Sequence, residues 1–114
     1  AEKLLRHGAE INLQSSRGCT ALMFAAAQGH ERVVELLLRH GAEVDLQDVG
    51  GYTALTNAAF YDRPAVVLQL LRAGADMALR TADGKTALQL AKEKGHAECE
   101  RALEAAAREA KRAE

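Results

Sequence analysis

The chain has no tryptophan and only two residues each of phenylalanine and tyrosine, so aromatics make up 4% of its 114 residues. At 48% apolar it can form a core, but small and aliphatic side chains must fill it. That favours thin helical layers lying close together over one large globular centre. Charge of one sign is missing too: 15 basic and 16 acidic side chains are interspersed, for a formal net charge of −1. Without a basic stripe of the kind duplex DNA or RNA requires, no nucleic-acid partner is expected. Cys19 and Cys99 stand far apart with no C-x-x-C pair. This argues against a disulfide-stapled secreted domain and for a reducing, intracellular compartment, cytoplasmic or nuclear. No apolar run reaches membrane-spanning length, so no membrane insertion is expected, and Ala1-Glu2-Lys3-Leu4-Leu5 does not read as a signal peptide. Gly-rich phosphate loops, H-E-x-x-H and G-x-S-x-G are all absent, and no cofactor or metal is expected.

What the chain does have is a period. Gly18-Cys19-Thr20-Ala21-Leu22, Gly51-Tyr52-Thr53-Ala54-Leu55 and Gly84-Lys85-Thr86-Ala87-Leu88 lie 33 residues apart with no insertion between copies. Gly, Thr, Ala and Leu stay fixed while the second residue changes. A second string, Leu4-Leu5-Arg6-His7-Gly8-Ala9-Glu10, returns as Leu37-Leu38-Arg39-His40-Gly41-Ala42-Glu43 and as Leu70-Leu71-Arg72-Ala73-Gly74-Ala75-Asp76. Repetition at this length announces a solenoid. The chain divides into a partial repeat over 1–14 and full repeats over 15–47, 48–80 and 81–113. It opens with the back end of a repeat whose front half is missing, as expected of a piece of something longer. The helix predicted over 1–6, closed by Gly8, is too short to stand alone and must lean on the next repeat.

Each full repeat reads as two short helices. In the first, a helix over 20–28 carries Leu22, Ala25 and Ala26 at helical spacing, and Gly29-His30 turns the chain. A second helix over 31–39 carries Val33, Val34, Leu36, Leu37 and Leu38, a wide apolar face that neighbours on both sides should cover. Glu35 and Arg39 mark its solvated side. The middle repeat substitutes Asp62-Arg63 at the turn and starts its second helix at Pro64, where a missing N–H costs little. In the third repeat Glu100 and Glu104 stand where its neighbours have Val and Leu, and Ala107 replaces the stop glycine. The last helix should therefore run on through Lys111 and turn one polar face outward, as the terminal cap of a stack requires.

G-x-T-A-L, Ala25-Ala26, Gly29-His30, Val33-Val34-x-Leu36-Leu37-Leu38 and Gly41-Ala42, all in register, resemble the ankyrin repeat across essentially the whole chain. The family's Thr-Pro-Leu-His appears as Thr-Ala-Leu followed by Met23, Thr56 or Gln89, which puts its side-chain hydrogen-bond ladder in doubt. The resemblance implies an all-α solenoid of stacked helix-turn-helix units with protruding β-turn loops. Its hollow side would bind a protein or peptide without catalysis. Carried over position by position, the family's variable surface falls on Arg17, Cys19, Val49, Tyr52, Asp83 and Lys85 at the tips, and on Gln28, Phe60, Tyr61, Glu93 and Lys94 at the first-helix ends. Three of the four aromatics, Tyr52, Phe60 and Tyr61, thus meet in the central repeat, as interaction anchors do, while Phe24 falls at a framework position. The competing reading has Phe60 or Tyr61 filling space against a neighbouring repeat. Asn12 resembles the context in which ankyrin-repeat asparagines are hydroxylated; the plainer reading is a loop residue equivalent to Asp45.

Two other functions are weighed against partner binding. The missing front half of the first repeat should leave apolar groups around Leu22, Val33 and Leu37 imperfectly covered, which would favour self-association as a weak homodimer through the N-terminal face. Catalysis would need converging ionisable groups. The histidines fall at framework positions, His30 with His96 and His7 with His40. Cys99 replaces Val33 and Val66 in register as a small core residue, and Cys19 is an exposed thiol with no base nearby.

Overall fold

The computed structural model describes residues 11–113. The predicted helix over 1–6, the Gly8 terminus and His7 lie outside the described residues. Six helices follow: α1 (Ala21–Gln28), α2 (Glu31–Arg39), α3 (Ala54–Phe60), α4 (Pro64–Arg72), α5 (Ala87–Lys94) and α6 (Ala97–Ala113). No strand occurs among the described residues.

The threonine of each G-x-T-A-L string is a helix cap. Thr20, Thr53 and Thr86 hold extended backbone while their side-chain oxygens accept from the N–H of Met23, Thr56 and Gln89. Thr56 and Gln89 return the bond to the N–H of Thr53 and Thr86, closing reciprocal capping boxes. Met23 has no such acceptor, so α1 is capped from one side only.

The helices form two layers. First helices stack in the order α1, α3, α5, and second helices in the order α2, α4, α6. The first layer packs on alanine: Ala25, Ala26, Ala58, Ala59 and Ala91 are all buried, and their size lets the helices approach closely. Leu22, Leu55, Val34, Val66, Val67, Leu70 and Leu103 fill the space between layers. Burying each is worth about 1.5–3 kcal/mol.

Coverage of α2 is uneven. Val34 and Leu37 are buried, but Val33 and Leu36 remain 36% and 38% exposed. Their counterparts in α4 are Val66, fully covered, and Gln69, which donates to the Glu31 carbonyl of α2 at 3.0 Å. The side of α4 that faces α2 is thus occupied, whereas Val33 and Leu36 on the equivalent side of α2 stay partly exposed. Leu22, expected to be poorly covered, is buried. Glu35 and Arg39 are exposed as predicted, but no ion pair among the described residues joins them. At the other end α6 continues to Ala113, with Glu104 half-buried beside Lys92 at 3.8 Å.

Side chains at other positions replace the expected ladder. Arg63 donates from Nε to the Ala27 carbonyl at 3.0 Å, and His96 Nε2 lies 3.0 Å from the Phe60 carbonyl. Both start a second helix and reach back to the end of the previous first helix. On the tip side, Gln14 bonds to the Gln47 carbonyl at 3.2 Å and Gln47 to the Arg80 carbonyl at 3.1 Å. Asn12 and Asp45 also share one job: their Oδ1 atoms accept from the N–H of Glu43 and Asp76 at 2.7 and 2.9 Å. Asn12 is thereby a structural link, as the plainer reading has it.

Candidate functional site

The tips are built from one turn used three times. Ser15 Oγ accepts from the N–H of Arg17 and Cys19, Asp48 Oδ1 from Gly50 and Tyr52, and Thr81 Oγ1 from Lys85. Backbone bonds knit neighbouring tips: Val49 donates to the Arg17 carbonyl at 2.9 Å and Ala82 to the Gly50 carbonyl at 2.7 Å. This fixes the tips beside the first-helix layer and sets the residues between tip and helix along a single face.

The central repeat brings its aromatics together on that face. The Tyr52 and Phe60 rings meet edge-on with centroids 6.1 Å apart, and Phe60 meets Tyr61 at 4.8 Å. Asp48, Tyr52, Asn57, Phe60 and Tyr61 line a hollow of about 220 Å³. A second hollow of about 360 Å³ is lined by Cys19, Met23, Phe24, Ala27, Gln28, Asp48, Asn57 and Tyr61. Asp48, Asn57 and Tyr61 belong to both, so the two hollows adjoin. Lys94 Nζ lies 4.5 Å from the Phe60 ring centre, and Lys85 pairs with Glu93 at 2.7 Å. That pairing raises the Lys85 ammonium above its ordinary value. Arg17, Val49 and Asp83 line neither hollow; they are exposed on the tips, Val49 at 76%.

One expectation is corrected here. Phe24 is 64% exposed and lines the second hollow, so it is a surface residue and not a framework one. Asp48 and Asn57 were also missed. A signal existed for Phe24, because its counterpart one repeat on is the polar Asn57, and a position holding Phe once and Asn once is a poor core position.

A second cluster has the residue types of a nucleophilic centre without the means. Asp62 Oδ2 lies 3.7 Å from His96 Nδ1, and Cys99 Sγ lies 3.7 Å from Asp62 Oδ1. Burial and the adjacent carboxylate push the Cys99 thiol up to about 12. The side chain is wholly covered, and both His96 nitrogens face acceptors already. A protonated, inaccessible thiol is not a nucleophile. Asp62 itself takes the left-handed conformation, φ +60°, that Gly29 and Gly95 take at the ends of α1 and α5. No group of three or more metal-ligating side chains occurs among the described residues, and no helix among them is long and apolar enough to cross a membrane.

Helix pairs stacked in two layers, with a tip between successive pairs, define a helical-repeat solenoid. A family model described as ankyrin repeats (3 copies) matches residues 1–81. The chain belongs to the ankyrin-repeat family, whose members are in general protein–protein interaction modules. No curated protein matches it.

Proposed function

We propose that this chain is a non-catalytic binding module that takes a protein or peptide across the face formed by its first helices and tips. Tyr52, Phe60 and Tyr61 are the central anchors, with Phe24 beside them and the charged side chains of Arg17, Asp83, Lys85, Glu93 and Lys94 around them. One observation carries this reading. All four aromatic residues of the chain line these two adjoining hollows, and none is in the buried core. Water-facing aromatics gathered in one place are characteristic of interaction surfaces. In this reading the chain is one domain, a partial repeat over 1–14 followed by repeats over 15–47, 48–80 and 81–113, working in a reducing intracellular compartment where Cys19 stays a free thiol.

The test pairs binding with stability. Tyr52→Ala combined with Tyr61→Ala should reduce capture of partner from a lysate at least tenfold, while lowering stability by only about 1 kcal/mol through the lost edge contacts. A loss of several kcal/mol, as core truncation gives, makes the rings packing residues and removes the site.

A second reading rests on Val33 and Leu36 of α2, which stay partly exposed and favour self-association through the N-terminal face. Light scattering after size exclusion separates the two: a dimer that grows with concentration supports self-association, and a strict monomer removes it.

A further inference from the structure

We infer that the partner inserts a basic side chain, lysine or arginine, into the hollow between Tyr52, Phe60, Tyr61 and Asp48, an inference that rests on the docking face proposed above. The hollow combines three aromatic rings with one carboxylate. The two oxygens of that carboxylate are unequally engaged. Asp48 Oδ1 accepts from the N–H of Gly50 and Tyr52 at 2.8 and 2.9 Å, whereas Oδ2 accepts a long, weak bond from the Cys19 thiol at 3.9 Å. None of the ion pairs among the described residues includes Asp48. The turn needs an acceptor there but no charge, because Ser15 and Thr81 make the same turn with hydroxyls.

A partner that covers the three rings also covers Asp48 and strips water from it. Burying a carboxylate without a counter-charge is costly, so an apolar side chain in this hollow is penalised and a cationic one is not. The rings add to the preference, since aromatic faces attract ammonium and guanidinium groups. The protein already displays that attraction in the Lys94 ammonium over Phe60. Lys94 lies against Phe60 but does not line the hollow itself.

The experiment uses a random 12-residue peptide library displayed on phage, selected on the intact chain. Binders are then measured against the wild type, Asp48→Asn, and the Tyr52→Ala, Tyr61→Ala double variant. Asn keeps the Oδ1 acceptor, so the turn and the melting temperature should hold. The expected binders carry one indispensable Lys or Arg. They lose at least tenfold in affinity when it becomes norleucine or citrulline, and a similar factor on Asp48→Asn. The two changes made together should cost little more than either alone, the mark of a direct pair. Binders that need the tyrosines but tolerate both charge removals overturn the basic side chain and leave the docking face standing. Binders indifferent to the tyrosines, or no binders at all, overturn both. Should Asp48→Asn fail to fold, the peptide substitution on the wild-type chain decides the matter alone.

Discussion

At the scale of single residues, two glycines with the same backbone conformation have different surroundings, and this separates local strain from packing between repeats. Gly51 and Gly84 have φ +79° and +81°. A Cβ at Gly84 meets nothing within 4 Å, whereas one at Gly51 falls 2.8 Å from the Ala82 nitrogen and 2.9 Å from Thr81 backbone atoms. Gly84→Ala should therefore cost only the left-handed penalty, about 1 kcal/mol. Gly51→Ala should cost at least twice that in denaturant unfolding, because the neighbouring tip must move. Equal costs would mean that the tips do not nest. The two cysteines make a similar contrast. Iodoacetamide at pH 8 should label exposed Cys19 and spare Cys99 until the chain unfolds, as peptide mass mapping can read. Since the folded state holds the Cys99 proton up to about pH 12 and the unfolded thiol releases it near 9.0, stability is unaffected by this group below pH 9. It should fall as pH rises from there towards 12, and the fall should vanish in Cys99→Ala.

At the scale of elements, helix starts were more legible than surfaces. Thr20, Thr53 and Thr86 announce their helices because a capping oxygen acts through bonds three residues away, which a short string contains in full. The caps differ in a measurable way. Thr20 accepts one bond, from Met23, while Thr53 is almost wholly buried, accepts from Thr56 and sits in a reciprocal box. Thr53→Ala should cost about 2 kcal/mol and Thr20→Ala about 1 kcal/mol in thermal or urea unfolding. The period likewise places Tyr52, Phe60 and Tyr61 near one another. Exposure is a different kind of property, since it depends on what lies opposite. Val33 and Val66 occupy the same register position with the same side chain, yet one is exposed and the other covered. No local pattern can tell them apart. Phe24 is misplaced for that reason, and Asp48 at the start of its repeat carries no signal in the string that it lines a hollow. The residues at Met23, Thr56 and Gln89 put the family's ladder in doubt, and no short string points to Arg63 and His96, whose side chains link neighbouring repeats instead.

At the scale of the whole molecule, a linear stack makes stability uneven along the chain, because each unit is held only by the units beside it. The central helices have neighbours on both sides: α3 packs between α1 and α5, and α4 between α2 and α6. Among the described residues helix α6 packs chiefly on α4 and α5, and its residues 107–112 are exposed. Amide hydrogen exchange under native conditions should therefore be slowest in α3 and α4, and among helical amides fastest in the last two turns of α6. The aromatic anchors of the proposed site flank or end α3, so the docking face sits on the unit expected to open least. A surface held by the stiffest part of the stack loses little freedom when a partner orders it, which leaves more of the contact energy for binding. If α1 or the end of α6 exchanges most slowly instead, the stack is not held from its middle and the argument for a preorganised face fails. If α3 and α4 are slowest and Tyr52→Ala with Tyr61→Ala leaves their exchange unchanged, the rings contribute little to that rigidity and remain available to a partner.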